Sequence, residues 1–112
     1  FARFGKLMNH EGNWDGKQLI DTTYMAEMVT PISATTDECD ASHYGYQIWL
    51  GETQAGEPFS CMEGLRGQMI IAVPAYDLVV VRTGYKKDKR KTSALPSDIE
   101  RVLDMGLRLL GE

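Results

Sequence analysis

The chain opens with apolar residues at helical spacing. Phe1, Phe4, Leu7 and Met8 fall on one side of a helix over residues 1–9. The polar cluster Asn9-His10-Glu11-Gly12-Asn13 ends that helix as a turn. Trp14 to Ile20 shows no regular period and reads as a short irregular segment. Asp21 caps a second helix that runs to about Thr30, with Tyr24, Met25, Met28 and Val29 as its apolar positions. Pro31 closes it, because a proline disfavours α conformation in the residue before it. Residues 32–43, rich in Ser, Thr and Asp, read as a loop.

Period two then takes over. Tyr44, Tyr46, Ile48 and Leu50 alternate with Gly45, Gln47 and Trp49, which predicts a strand with one large face. Gly51 to Pro58 is a polar connection, and Phe59–Glu63 is the second predicted strand. Gly64-Leu65-Arg66-Gly67-Gln68 is a glycine-rich corner that feeds the apolar run Met69–Val73. The turn Pro74-Ala75-Tyr76-Asp77 leads to a further run, so Gln68–Val73 and Leu78–Thr83 are predicted as the third and fourth strands. Such a pair reads as an antiparallel hairpin buried on at least one face. Glycines at the mouth of a sheet let a backbone N–H approach a ligand closely, which marks this corner as a substrate-binding edge.

Tyr85 to Lys91 is charged and polar. Ser97-Asp98-Ile99-Glu100 fits a capping box, and the helix it opens carries Ile99, Val102, Leu103, Leu107 and Leu110 as a stripe. Consecutive strands with short links favour antiparallel pairing. The prediction is an α+β fold: an antiparallel sheet of about four strands with helices on one face, including the C-terminal helix laid across it.

At 112 residues the chain can build one domain and one core. Hydrophobic residues make up 43% and charged residues 25%, an ordinary globular composition. The net charge of -4 argues against a nucleic-acid partner, since phosphate neutralisation needs clustered positive charge. No apolar run approaches the roughly 18 residues that span a bilayer. The first residues look like the middle of a helix, without an initiator Met or the regions of a signal peptide. Residues 1–112 are therefore expected to be a single lobe of a longer protein. Cys39 and Cys61 have neither metal-site spacing nor the density of a disulfide scaffold and read as unpaired thiols, which leaves the redox compartment open.

Serine chemistry needs a nucleophile, a base and an oxyanion hole. Ser33, Ser42, Ser60, Ser93 and Ser97 are followed three places on by Thr36, Gly45, Glu63, Pro96 and Glu100, so there is no Ser-x-x-Lys. There is no Gly-x-Ser-x-Gly elbow and no Tyr-x-Asn. His10 and His43 read as surface histidines, and Asp37, Glu38 and Asp40 as solvated loop. Lys86-Lys87-Asp88-Lys89-Arg90-Lys91 reads as a solvated loop rather than a patch for an anionic partner. Gly64 to Gly67 also fits the GxxG loop of KH domains, but that loop joins two helices and here the segment precedes a strand in an acidic chain. No metal or cofactor is expected.

Four segments together resemble the C-terminal part of the class C β-lactamase-like serine hydrolases, a superfamily that includes low-molecular-weight penicillin-binding proteins, esterases and 6-aminohexanoate-dimer hydrolases. Ala2–Leu7 with Gly12–Gln18 is similar to its helix-turn segment, and Tyr44–Leu50 to its Tyr-Gly-aromatic strand. Gly64–Gln68 is similar to its glycine corner, and Pro74 with Asp77–Val81 to its final hairpin. They come in family order and span nearly the whole chain. The resemblance implies part of a β-lactamase/transpeptidase-like fold, acting on amide or ester bonds through an acyl-enzyme. It implies an oxyanion-hole donor at the Leu65 main-chain N–H, with Gly64, Arg66, Gly67 and Gln68 on the substrate side. Arg66 points either into the pocket, where it could pair with a substrate carboxylate, or to solvent. Arg82-Thr83-Gly84 looks like an Arg form of the family's Lys-Thr-Gly triplet, but it lies at the end of the last strand and reads as a strand end with a glycine exit.

The family's Ser-x-x-Lys and Tyr-x-Asn elements lie upstream of residue 1, so the resemblance implies that this chain alone is inactive. It also implies a parent exported to the cell envelope, the missing N-terminal part as partner, and self-association through sheet left uncovered. The alternative is a stand-alone interaction domain that binds a peptide or partner by sheet-edge addition.

Overall fold

The computed structural model describes residues 1–32, 44–88 and 95–111. The elements, in chain order, are α1 (Ala2–Asn9), β1 (Asn13–Trp14), β2 (Lys17–Gln18), α2 (Thr22–Met28), β3 (Trp49–Glu52), β4 (Pro58–Gly64), β5 (Gln68–Val73), β6 (Leu78–Arg82) and α3 (Ser97–Leu109). The strands β3-β4-β5-β6 form one sheet in that order, each pair antiparallel. The α+β expectation, with a four-stranded antiparallel sheet and a C-terminal helix packed on it, is met.

The core follows from the period of β5. Its odd positions Met69, Ile71 and Val73 share one face with Phe59 and Cys61 of β4, and there they meet Leu95, Ile99 and Leu103. Ala72 faces the other way and joins Leu50, Met8, Met25 and Ile48. Helices were expected on one face only; instead α3 covers one face while α1 and α2 cover the other. The cause is that β5 is apolar at every position after Gln68, so both of its faces need a cover. Gly5 lets α1 lie close to the sheet, since a Cβ there would come within 2.5 Å of Val79 Cγ1.

Two local expectations change. Tyr44–Leu50 is not a strand. Tyr44 makes an isolated bridge to Trp49, and between them the chain turns, with Gly45 N–H donating to Ile48 O at 2.8 Å and Gln47 at φ 59. Gly45 lies so near α2 that a Cβ would stand 2.0 Å from the Met28 carbonyl oxygen, and Tyr46 N–H donates to that same oxygen at 3.1 Å. The alternation of aromatic and small residues there serves to close the end of α2. Pairing starts only at Trp49 and runs on through Gly51 and Glu52, which had read as connection. Ser97 is not the cap of α3 either. Pro96 holds the N-cap position without a side-chain hydrogen bond, and Ser97 Oγ donates to Asp88 Oδ2 at 3.2 Å.

Elsewhere the local reading is refined. Asp21 does cap α2, accepting from Thr23 N–H at 3.0 Å. The segment from Trp14 folds with Asn13 into the small β1–β2 hairpin. Cys61 is buried, its Sγ 3.2 Å from Met69 Sδ. Cys39, His43, the acidic group Asp37-Glu38-Asp40 and Lys89–Lys91 lie outside the described residues.

The α3 interface gives a direct test by denaturant unfolding. Ile99 is fully buried and Leu109 is 88% exposed. Ile99→Ala is expected to cost about 2–5 kcal/mol, whereas Leu109→Ala should stay within about 0.5 kcal/mol of wild type. Equal costs would mean that α3 does not pack by the face described.

Candidate functional site

The corner is the hairpin turn between β4 and β5. Gly64 and Gln68 face each other as the last pair of the ladder, and Leu65–Gly67 forms a single 3-10 turn between them. Closing antiparallel strands with so short a loop requires left-handed backbone. It falls on Arg66 (φ 62, ψ 23) and Gly67 (φ 85).

Gly67 answers two demands. Its positive φ suits glycine, and a Cβ there would stand 2.2 Å from Arg82 Nη1. That guanidinium lies over the corner because β5 and β6 pair with Met69 opposite Arg82. Nη1 donates to Gly67 O at 2.7 Å and to Arg66 O at 3.0 Å. Nη2 donates to Lys86 O and to the Asp98 carboxylate, the latter at 3.1 Å. The other oxygen of Asp98 accepts from Asp88 N–H at 3.0 Å.

Gln68 holds the corner from the strand side. Its Oε1 accepts from Gly84 N–H at 3.0 Å, and its Nε2 donates to Gly84 O and to Leu65 O, the latter at 3.3 Å. Lys87 pairs with Glu63 at 2.9 Å beside it.

A cleft of about 260 Å³ opens next to the corner on the α1 side of the sheet. Met62, Ile70 and Val81 form its apolar floor, Phe1 stands at the α1 end, and Gly64, Gln68 and Thr83 stand at the corner end. Of the residues expected to form the site, Gly64 and Gln68 line this cleft. Leu65 is 84% exposed and Arg66 is also exposed, and neither residue is part of the lining. Gly67 is buried beneath Arg82. The corner therefore meets the cleft through its two flanking residues, Gly64 and Gln68, with the left-handed turn just beyond them. Among the described residues no group of three or more His, Cys, Asp or Glu could hold a metal ion, and no helix is long and apolar enough to cross a membrane.

Arg82, Gly84 and Asp98 carry the corner's geometry, yet by sequence they read as a strand end, a glycine exit and part of a capping box. The signal was available. A four-residue turn over Pro74–Asp77 pairs Val73 with Leu78, and counting back along that register sets Arg82 beside Met69, next to the corner.

Two glycines separate conformational strain from contact. Gly67 and Gly16 share a left-handed φ, +85 and +80, but Gly16 has nothing within 4 Å of a built Cβ. Gly16→Ala should cost about 1 kcal/mol, the strain alone. Gly67→Ala should cost clearly more, because the Arg82 guanidinium must also move. Thermal or urea unfolding of the two variants measures the difference, and equal losses would remove Arg82 from its place over Gly67.

No protein-family model matches the chain, and comparison with curated proteins finds no significant relative.

Proposed function

We propose that this chain is the C-terminal cleft lobe of a serine hydrolase of the β-lactamase, penicillin-binding-protein or esterase type. In that reading the intact enzyme forms an acyl-enzyme from an amide or ester on a serine that lies upstream, and water then releases it. This lobe contributes one wall of the cleft and the Leu65 N–H as one of two oxyanion donors. The observation that supports the reading is the corner itself: a left-handed turn, held by hydrogen bonds from Arg82 and Gln68, beside an apolar cleft. The exposed Leu65 side chain is consistent with a donor that needs no particular side chain. Cell-envelope export of the parent belongs to the same reading.

The donor can be removed without breaking the turn. Leu65 has helical backbone and Gly64 before it is extended (φ -112, ψ 170), both compatible with proline at position 65. In the intact enzyme Leu65→Pro is expected to lower kcat by about 10²–10³, while Leu65→Ala leaves it nearly unchanged. A proline variant with full turnover would take the oxyanion role away from Leu65. The 112-residue chain alone is expected not to hydrolyse nitrocefin or p-nitrophenyl esters, having neither Ser-x-x-Lys nor Tyr-x-Asn.

A second reading has its own support. The sheet order ends at β6, and no described strand pairs with its outer edge. An interaction domain could take a partner strand there, and the same edge could join copies of this chain. The coding sequence upstream of Phe1 discriminates: a Ser-x-x-Lys followed by Tyr-x-Asn supports the hydrolase, and a start codon immediately before Phe1 supports the binding domain. Light scattering of the 112-residue chain tests self-association, and a monomer at high concentration counts against it.

A further inference from the structure

The structure assigns Arg82 as the positioning residue of the corner: its guanidinium holds the Arg66–Gly67 turn in its left-handed form and ties it, through Asp98, to the start of α3. One planar fork serves four acceptors, the carbonyls of Arg66, Gly67 and Lys86 and the Asp98 carboxylate. Both partners of the ion pair are largely covered, with side-chain exposures of 18% and 28%. Charge-assisted hydrogen bonds of this kind are the strong ones, and a fixed fork loses less freedom in making them than a flexible ammonium would.

The need for such a residue lies in the backbone. Arg66 is not glycine, yet it sits at φ 62, a conformation that persists only where the surroundings over-determine it. The strand ladder fixes the turn at Gly64 and Gln68, and Gln68 adds a bond to Leu65 O. The carbonyls of the two left-handed residues themselves are bound by Arg82 Nη1. Gly67 is the reciprocal fit, since any Cβ there would displace the guanidinium. Asp98 closes the connection: one oxygen orients Arg82 and the other accepts from Asp88 N–H, so the chain after β6, the first turn of α3 and the corner meet at one carboxylate.

A lysine at position 82 would keep the charge but present one ammonium where the fork spans both sides of the turn. The hold on the corner is a property of this chain; its consequence for catalysis rests on the hydrolase reading above. The test separates the two. In the 112-residue chain, ¹⁵N relaxation is measured for the Leu65, Arg66 and Gly67 amides in wild type, Arg82→Lys and Asp98→Asn, with Tm as a control for global loss. Order parameters of about 0.85 are expected to fall below about 0.6 at these three positions in Arg82→Lys and less far in Asp98→Asn, with Ile70–Val73 unchanged. An equally ordered corner in Arg82→Lys overturns the assignment. If that variant does not fold, an equally ordered corner in Asp98→Asn overturns it instead. In the intact enzyme, Arg82→Lys should lower kcat by about tenfold to a hundredfold with KM little changed. A loosened corner with kcat unchanged would support the assignment of Arg82 and remove the oxyanion role of the corner.

Discussion

Strand β5 is apolar on both faces after Gln68, and the rest of the molecule is arranged around that constraint. Ile71, Ala72 and Val73 are fully buried, and Met69 nearly so. A strand covered on both sides needs two helical layers. α3 supplies one through Ile99 and Leu103, and α1 with α2 supplies the other through Met8 and Met25. α1 is tied at its C-terminal end to the far turn: Asn9 Nδ2 donates to Leu78 O at 3.0 Å, and His10 Nε2 lies 3.0 Å from Asp77 Oδ1. Its eight residues cover roughly 12 Å. The six residues of β5 extend roughly 20 Å. A helix anchored at one end of a longer strand leaves the other end bare. The cleft beside Phe1, Ile70 and Val81 is that remainder, so its position follows from two element lengths and one anchor.

The corner at this bare end is stable for a different reason. Left-handed backbone at a non-glycine residue is costly and needs compensation from its surroundings. Here the compensation comes from outside the turn, from Arg82 on the neighbouring strand and Gln68 at the strand start. The two clamps meet again on the far side, where Gln68 binds both the N–H and the carbonyl of Gly84, two residues beyond Arg82. The corner and the exit from β6 therefore brace each other. A peptide group held this way is preorganised, as the proposed oxyanion role would require.

The strong periodic signals were legible in the sequence. The apolar runs after Gln68 and Leu78 became β5 and β6, and the stripe on Ile99, Leu103 and Leu107 became the packed side of α3. Misleading signals arose where side-chain pattern and backbone demand diverge. Tyr44, Tyr46, Ile48 and Leu50 alternate perfectly, but Gly45 approaches the end of α2 and Gln47 turns left-handed, which no strand allows. Ser97 has the right spacing to Glu100 for a cap, but Pro96 already sets the entry to α3, and Ser97 goes to Asp88 instead. The corner was visible through its glycines. Its support was not, because hydrogen bonds from Arg82 to carbonyls some 15 residues away leave no local trace.

Charge around the cleft decides what kind of group fits it. Glu63 and Arg82 belong to its lining, but both pair with Met69 in the ladder, so their charged ends lie on the α3 face, where Glu63 is 2.9 Å from Lys87 Nζ and Arg82 is 3.1 Å from Asp98. Each pair offsets most of its own field within a few ångströms. The floor of Met62, Ile70 and Val81 is apolar, and the polar groups at its end belong to Gln68, already bound to Gly84, and to Thr83. A charged group placed on that floor would lose its water with only the Thr83 hydroxyl in the lining to meet it. The cleft thus favours an uncharged, apolar moiety. A carboxylate would have to be met outside the lining, where Arg66 stands exposed on the turn. The apolar floor of the sheet and the exposed charge on the turn are thus separate surfaces, on either side of Gly64 and Gln68.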